Sequence, residues 1–248
     1  MRIQYASSAM HNEDFLKLFP DSSKMPGQQA QKFHRLMMGG LAANGCRVDA
    51  VSAAPVTPQN YPHKVYPGGK RRDSNICYRY IPVLNLPVVK NLCQLLGGFF
   101  RVLFGGRKDT AVVCDVLHMT VSLGAALAAR LTGKPCVGIV TDLPELMVTG
   151  SGGSSYGKMV GWILKLCTHF VLLTEQMNRV VYELSRGLPV NAGESWKHGL
   201  GNPEQTDAVL KYLSQWERIP PEKKTQIGRL LIETVKLSEG RITVVWRY

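Results

Sequence analysis

Apolar positions along the 248-residue chain come as short β-branched runs that alternate with longer amphipathic stretches. The clearest unit is Thr110 to Pro144, TAVVCDVLHMTVSLGAALAARLTGKPCVGIVTDLP. Ala111 to Cys114 is wholly apolar, as a strand covered on both faces requires, and Asp115 ends it. Val121, Leu123, Ala125, Ala126, Leu127, Ala129 and Leu131 then give a helix an apolar, alanine-rich face, and Gly133 with Pro135 supplies its stop signals. Cys136 to Val140 is the next strand. Strands joined through a helix in this way run parallel with a right-handed crossover, and ligands of such sheets gather at the carboxyl ends of the strands.

The same logic repeats on both sides of that unit. Arg2 to Ala6 reads as a first strand, followed by a loop holding Met25, Pro26 and Gly27, a helix over Gln28 to Ala43, and a second strand at Arg47 to Ser52. Ala53 to Asp73, with its prolines, glycines and the basic run Lys70, Arg71 and Arg72, reads as a solvated turn before a third strand at Asn75 to Ile81. Leu86 to Phe104 is apolar but interrupted by Gly97, Gly98 and Arg101, which speaks for a helix packed on the sheet and against a membrane span. Tyr156 to Cys167 is a further helix and His169 to Leu173 a sixth strand, after which Thr174 and Glu175 open a helix carrying Met177, Val180 and Val181. The expected fold is α/β, with a six-stranded, parallel, Rossmann-like sheet over residues 1–184.

Beyond that point the texture changes. Repeated glycine and proline from Gly187 to Pro203 break every periodic pattern, so residues 185–203 read as a linker. Residues 204–248 read as a short, mainly helical tail. Asn202 and Pro203 open a helix bearing Val209, Leu210, Leu213 and Trp216; Pro220 and Pro221 open another bearing Ile227, Leu230, Leu231 and Val235; Ile242 to Trp246 closes the chain as a strand.

Thirty Lys and Arg against eighteen Asp and Glu leave a formal net charge of +12. Such a charge calls for an anionic partner: nucleic acid, an acidic membrane surface or a phosphorylated substrate. Residues 1–184 lack aromatic side chains interleaved with a basic stripe, so nucleic acid is the least favoured. Lys90, Arg101, Arg107 and Lys108 border the apolar run Leu92 to Phe104, which fits an amphipathic surface lying on anionic lipid. Met1 to Ala6 carries no long apolar core of a signal peptide, and the expected location is cytoplasmic, at most peripheral on the inner face of the membrane. The six cysteines show no CxxC pairing and read as free thiols, with no metal expected. The stretch VTGSGGSSYG, Val148 to Gly157, has neither Walker nor GxGxxG spacing and reads as a loop near a strand end, with a phosphate cradle as the alternative. Asp115, His118, Thr120, Thr141 and Asp142 all fall at strand ends, where a site would form. Asp142 suits either a base for a hydroxyl proton or a turn residue before Pro144.

Taken in order, four pieces carry a resemblance: the opening strand with its glycine-containing loop, QQAQKFHRLMMGGLAANGCRVDAVS, CDVLHMTVSLGAALAARLTGKPCVGIVTDLP, and HFVLLTEQMNRVV. Over roughly residues 1–184 the chain resembles the amino-terminal, acceptor-side domain of GT-B glycosyltransferases, specifically family-4-type enzymes of polysaccharide and glycolipid synthesis. The resemblance implies transfer of a sugar from a nucleotide-sugar donor to a saccharide or lipid-linked acceptor between two Rossmann-like domains, with no cofactor or metal. It assigns catalysis to Asp142, His118 and Thr120, and acceptor binding to Gly27, Asp115, Thr141 and Glu175. Many relatives carry a His-x-His pattern after the fourth strand; here it is His118, Met119, Thr120, with threonine at the second position. Family enzymes continue into a second domain with basic residues for the donor diphosphate, and the roughly 60 residues after Leu184 are too few for one. The resemblance therefore implies an acceptor half that is inactive alone, completed by a separate donor-domain chain or left as a non-catalytic remnant. The tail LSQWERIPPEKKTQIGRLLIETVKLSEGRITVVWRY is similar to the carboxyl terminus of large serine recombinases, without their catalytic domain or zinc-ribbon cysteines.

Overall fold

The computed structural model of the chain describes residues 1–21, 23, 25–105, 109–141, 155–173, 176–186, 232–238 and 241–246. The elements begin with β1 (Arg2–Ser7), α1 (Asn12–Leu18), α2 (Gln28–Ala43), β2 (Arg47–Ser52), β3 (Val65–Tyr66), β4 (Gly69–Asp73), β5 (Ile76–Tyr80) and β6 (Val83–Leu84). They continue with α3 (Pro87–Phe104), β7 (Thr110–Asp115), α4 (Met119–Thr132), β8 (Cys136–Val140), α5 (Ser155–Leu166), β9 (His169–Leu172), α6 (Gln176–Arg186), β10 (Ile232–Ser238) and β11 (Arg241–Trp246).

Six strands in the order β9-β8-β7-β1-β2-β5 run parallel, as the alternating pattern predicts. The fold is α/β and Rossmann-like. β7 lies at the centre and is buried along its whole length, which explains its unbroken apolar run. From β1 the chain winds one way through α2 to β2 and the other way through α4 and α5 to β8 and β9. Right-handed crossovers therefore put α2 on one face of the sheet and α4 and α5 on the other. α3 joins the α4 side and packs along α4 more closely than any other helix pair. Glycine on both helices, Gly98 of α3 and Gly124 of α4, makes that contact possible. A Cβ on Gly98 would strike Val121, one on Gly97 would strike Ile81, and one on Gly124 of α4 would strike the backbone of Leu95 and Phe99. The last carbonyls of α3 find donors outside the helix. Gln4 Nε2 donates to the Arg101 carbonyl at 3.0 Å, and the ammonium of buried Lys134 donates to the Val102 carbonyl at 2.6 Å.

Three departures from the sequence pattern have physical causes. Gly69–Asp73 is a strand rather than a solvated turn: β4 pairs antiparallel with β5 at the sheet edge. Its side chains are mostly charged, and it is held by Arg71, whose guanidinium donates to Glu13 Oε2 at 2.6 Å and Asp14 Oδ1 at 2.7 Å. Those carboxylates belong to α1, a helix within the expected loop, anchored by buried Phe15 and Phe19. At the other edge, residues 232–238 form β10 instead of continuing a helix through Val235. β10 pairs antiparallel with β11, and β11 pairs parallel with β9 through Ile242 and Val171. The β-branched Ile232, Thr234 and Val235 suit a strand once a partner is available. The helices expected between Asn202 and Leu231 lie outside the described residues.

All six cysteines are free thiols. Cys136 lies 3.8 Å from Cys114 and 3.7 Å from Cys167, sulfur to sulfur, in the packing between β7, β8 and the end of α5. Among the described residues, no helix is long and apolar enough to cross a membrane.

Candidate active site

The direction of winding reverses between β1 and β7, and parallel α/β sheets bind ligands in the crevice at such a point. A cleft of about 500 Å³ opens there. One wall is loop: Pro26 before α2, and Pro55, Thr57 and Asn60 after β2. The other wall is helical: Lys90, Asn91 and Gln94 from α3, with Leu117 to Thr120 at the start of α4.

The turn from β7 into α4 is built around Asp115. One carboxylate oxygen accepts the Leu117 N–H at 3.1 Å, and the other accepts from His34 Nε2 at 2.8 Å. His34 Nδ1 in turn meets the Tyr5 hydroxyl at 2.8 Å. A carboxylate can only accept, so Nε2 carries a proton, and the Tyr5 hydroxyl donates its own to Nδ1 whenever the ring is neutral. Burial, reinforced by Asp115 and Cys114, pushes the Tyr5 pKa up and keeps that proton on the phenol. The Asp115 carbonyl also accepts from Ser122 Oγ at 2.6 Å and from the His118 N–H at 3.1 Å. These bonds tie α2, β1 and β7 together and hold His118 at the N-cap of α4.

His118 lines the cleft. Desolvation lowers its pKa, opposed by Asp115 and assisted by His34 and Lys90, so the ring favours its neutral form. Thr120 Oγ1 donates to Gln94 Oε1 at 2.7 Å, which fixes the amide and leaves its N–H groups for other acceptors. Lys90 reaches across to the Val56 carbonyl at 3.0 Å, and partial burial lowers its pKa. Asn60 braces the opposite wall, accepting from the Thr57 N–H at 2.6 Å and donating to the Pro55 carbonyl at 3.0 Å. The arrangement offers amides, hydroxyls, an imidazole and one ammonium. Among the described residues no group of His, Cys, Asp or Glu is arranged to hold a metal.

Of the residues singled out from sequence, His118 and Thr120 share this cleft. Asp115 is buried behind it, with one carboxylate oxygen on the Leu117 N–H and the other on His34 Nε2, and sets the turn from β7 into α4. Gly27 is the N-cap of α2, beside Pro26, and no neighbour within 4 Å requires a glycine there. Thr141 follows β8 at the same edge of the sheet but does not line this cleft. Asp142 and Glu175 lie outside the described residues, as does most of the stretch 148–157. Sequence reasoning overlooked Asn60, Asn91, Gln94 and His34, and took Lys90 for a cation facing lipid. A signal was present in α3: before Arg101 its polar side chains are Lys90, Asn91 and Gln94, spaced to share one face. No protein-family model matches the chain, and no curated protein matches it.

Proposed function

We propose that residues 1–184 are the acceptor-binding half of a glycosyltransferase, which moves a sugar from a nucleotide-sugar donor to a saccharide or lipid-linked acceptor. The observation that carries the reading is the cleft at the winding reversal, lined by Asn60, Lys90, Asn91, Gln94, His118 and Thr120. Neutral amides and hydroxyls match the many donors and acceptors of a sugar, and a lysine matches the phosphate of a lipid-linked one. In the transfer an acceptor hydroxyl oxygen bonds to the anomeric carbon, the bond to the donor diphosphate breaks, and the hydroxyl proton passes to a base. His118, held in its neutral form, has the chemistry of that base, with Asp142 as its sequence-based rival. Donor diphosphate binding belongs to a second domain, which further sequence or a separate chain supplies. On this reading the 248-residue chain binds acceptor and does not turn over a nucleotide sugar by itself.

The test is NMR titration of the full chain with oligosaccharides, a polyprenyl-phosphate-linked saccharide, and uridine and guanosine diphosphate sugars. The expected result is movement of the His118 imidazole and Gln94 amide signals by an acceptor of the first two classes, without hydrolysis of the nucleotide sugars. Signals unmoved by every acceptor would overturn the reading, as would micromolar donor binding.

A further inference from the structure

The outward face of α3 is apolar from end to end. Val88, Leu92, Leu96, Phe100 and Phe104 recur every four residues, with exposures of 80%, 55%, 41%, 48% and 79%. The rings of Phe100 and Phe104 stack on one another 6.0 Å apart at 3°. The same helical layer adds Leu131 of α4, 70% exposed, and Trp162 of α5, 57% exposed. A helix on a globular domain normally turns polar side chains to water on this side, and apolar groups gathered over three neighbouring helices go well beyond scattered exposed leucines.

The charges carried by these three helices have one sign. α3, α4 and α5 contain no Asp or Glu, while Arg101, Arg130, Lys158 and Lys165 stand among their residues, the last three exposed. The cations differ from those suggested by sequence alone: Lys90 turns inward to the Val56 carbonyl, and Arg107 and Lys108 lie outside the described residues. Asp49 of β2 lies beside Phe100 and Phe104 but is held between Arg2 and Arg79, at 3.8 and 3.5 Å, so aliphatic and aromatic side chains with exposed cations around them complement an anionic bilayer. The apolar groups enter the headgroup boundary and the cations meet the phosphates.

We propose that this α3–α4–α5 face docks the protein on an anionic lipid surface. Val88, Leu92 and Leu96 lie on the same amino-terminal half of α3 whose Lys90, Asn91 and Gln94 line the cleft. Docking therefore brings the rim of the cleft to the headgroups, where a lipid-linked acceptor presents its sugar. That last step rests on the acceptor-binding reading; the docking itself does not.

The experiment is co-sedimentation of the full chain with vesicles of phosphatidylcholine alone and of phosphatidylcholine with roughly one third phosphatidylglycerol, with no saccharide present. The wild type is expected to bind the anionic vesicles, and raising NaCl from about 50 mM to about 500 mM should weaken binding at least about tenfold. The double variant Leu92→Ser, Phe104→Ser alters exposed positions only, and circular dichroism checks its fold. It should lose at least about tenfold in partitioning, as removal of two inserted apolar groups requires. Arg130→Glu with Lys165→Glu should remove the preference for anionic over neutral vesicles. Failure of the wild type to bind anionic vesicles, equal binding to neutral ones, or undiminished binding by the serine variant would each overturn the proposal. So would a dimer in sedimentation velocity that the serine variant dissolves while the wild type ignores lipid, since the face would then belong to a second copy. Vesicle binding alongside silent acceptor titrations would leave docking standing and overturn the acceptor reading alone.

Discussion

Replacing Gly124 by alanine probes the closest helix contact in the fold. An added Cβ would lie well inside van der Waals distance of the Leu95 carbonyl oxygen, and 2.9 Å from both the Leu95 carbonyl carbon and the Phe99 nitrogen. All three are backbone atoms, so no side chain can swing aside. α3 and α4 must separate by about 1 Å or more to restore ordinary contact, and the seam then loses dispersion contacts along its length. Overpacking of this kind costs about 1–3 kcal/mol. Alanine returns about 1 kcal/mol as the better helix former. A backbone obstacle places the cost at the upper end, so the net loss is about 2 kcal/mol. Gly161 of α5 is the matched control, a mid-helix glycine with nothing within 4 Å of its added Cβ, where the same substitution should stabilise by up to about 1 kcal/mol. Thermal unfolding followed by circular dichroism reads both. At about 2–4 °C per kcal/mol, Gly124→Ala lowers Tm by about 4–8 °C and Gly161→Ala raises it by up to about 4 °C. A Gly124→Ala protein that melts at or above the wild-type temperature would show that the seam between α3 and α4 has room for a side chain there.

Two further substitutions test the electrostatic assignments. Burial lowers the His118 pKa below that of an unfolded histidine, near 6.5, so below that pH the unfolded chain takes up a proton more readily than the folded one. Stability on this account is full above about pH 6.5 and falls as the pH drops through that value; His118→Gln should flatten the decline in urea midpoints between about pH 7.5 and pH 5.5, and unchanged slopes would contradict the assignment. Lys134→Ala leaves the Val102 carbonyl at the end of α3 without its donor and should cost about 1–3 kcal/mol, read as a lower Tm; an unchanged Tm would mean that water replaces the ammonium there.

The six parallel strands were legible in the sequence because a doubly covered strand is a local signal, a short run of apolar, often β-branched residues such as Ala111 to Cys114. His118 and Thr120 were legible for the same reason, since a polar group just past such a strand falls at the ligand edge. What stayed hidden depends on partners far along the chain. β4 has no apolar period to read; it is a strand because β5 accepts it and Arg71 finds carboxylates in α1, 57 and 58 residues away. Residues 232–238 fit helical spacing until β11 stands beside them. The contact of Asp115 with His34 of α2 also exists only once the chain has folded. The inward turn of Lys90 and Gln94, and the outward turn of the stripe from Val88 to Phe104, were likewise settled by tertiary packing. Periodicity shows that a helix has two faces, but the glycine seam between α3 and α4 decides which one meets water.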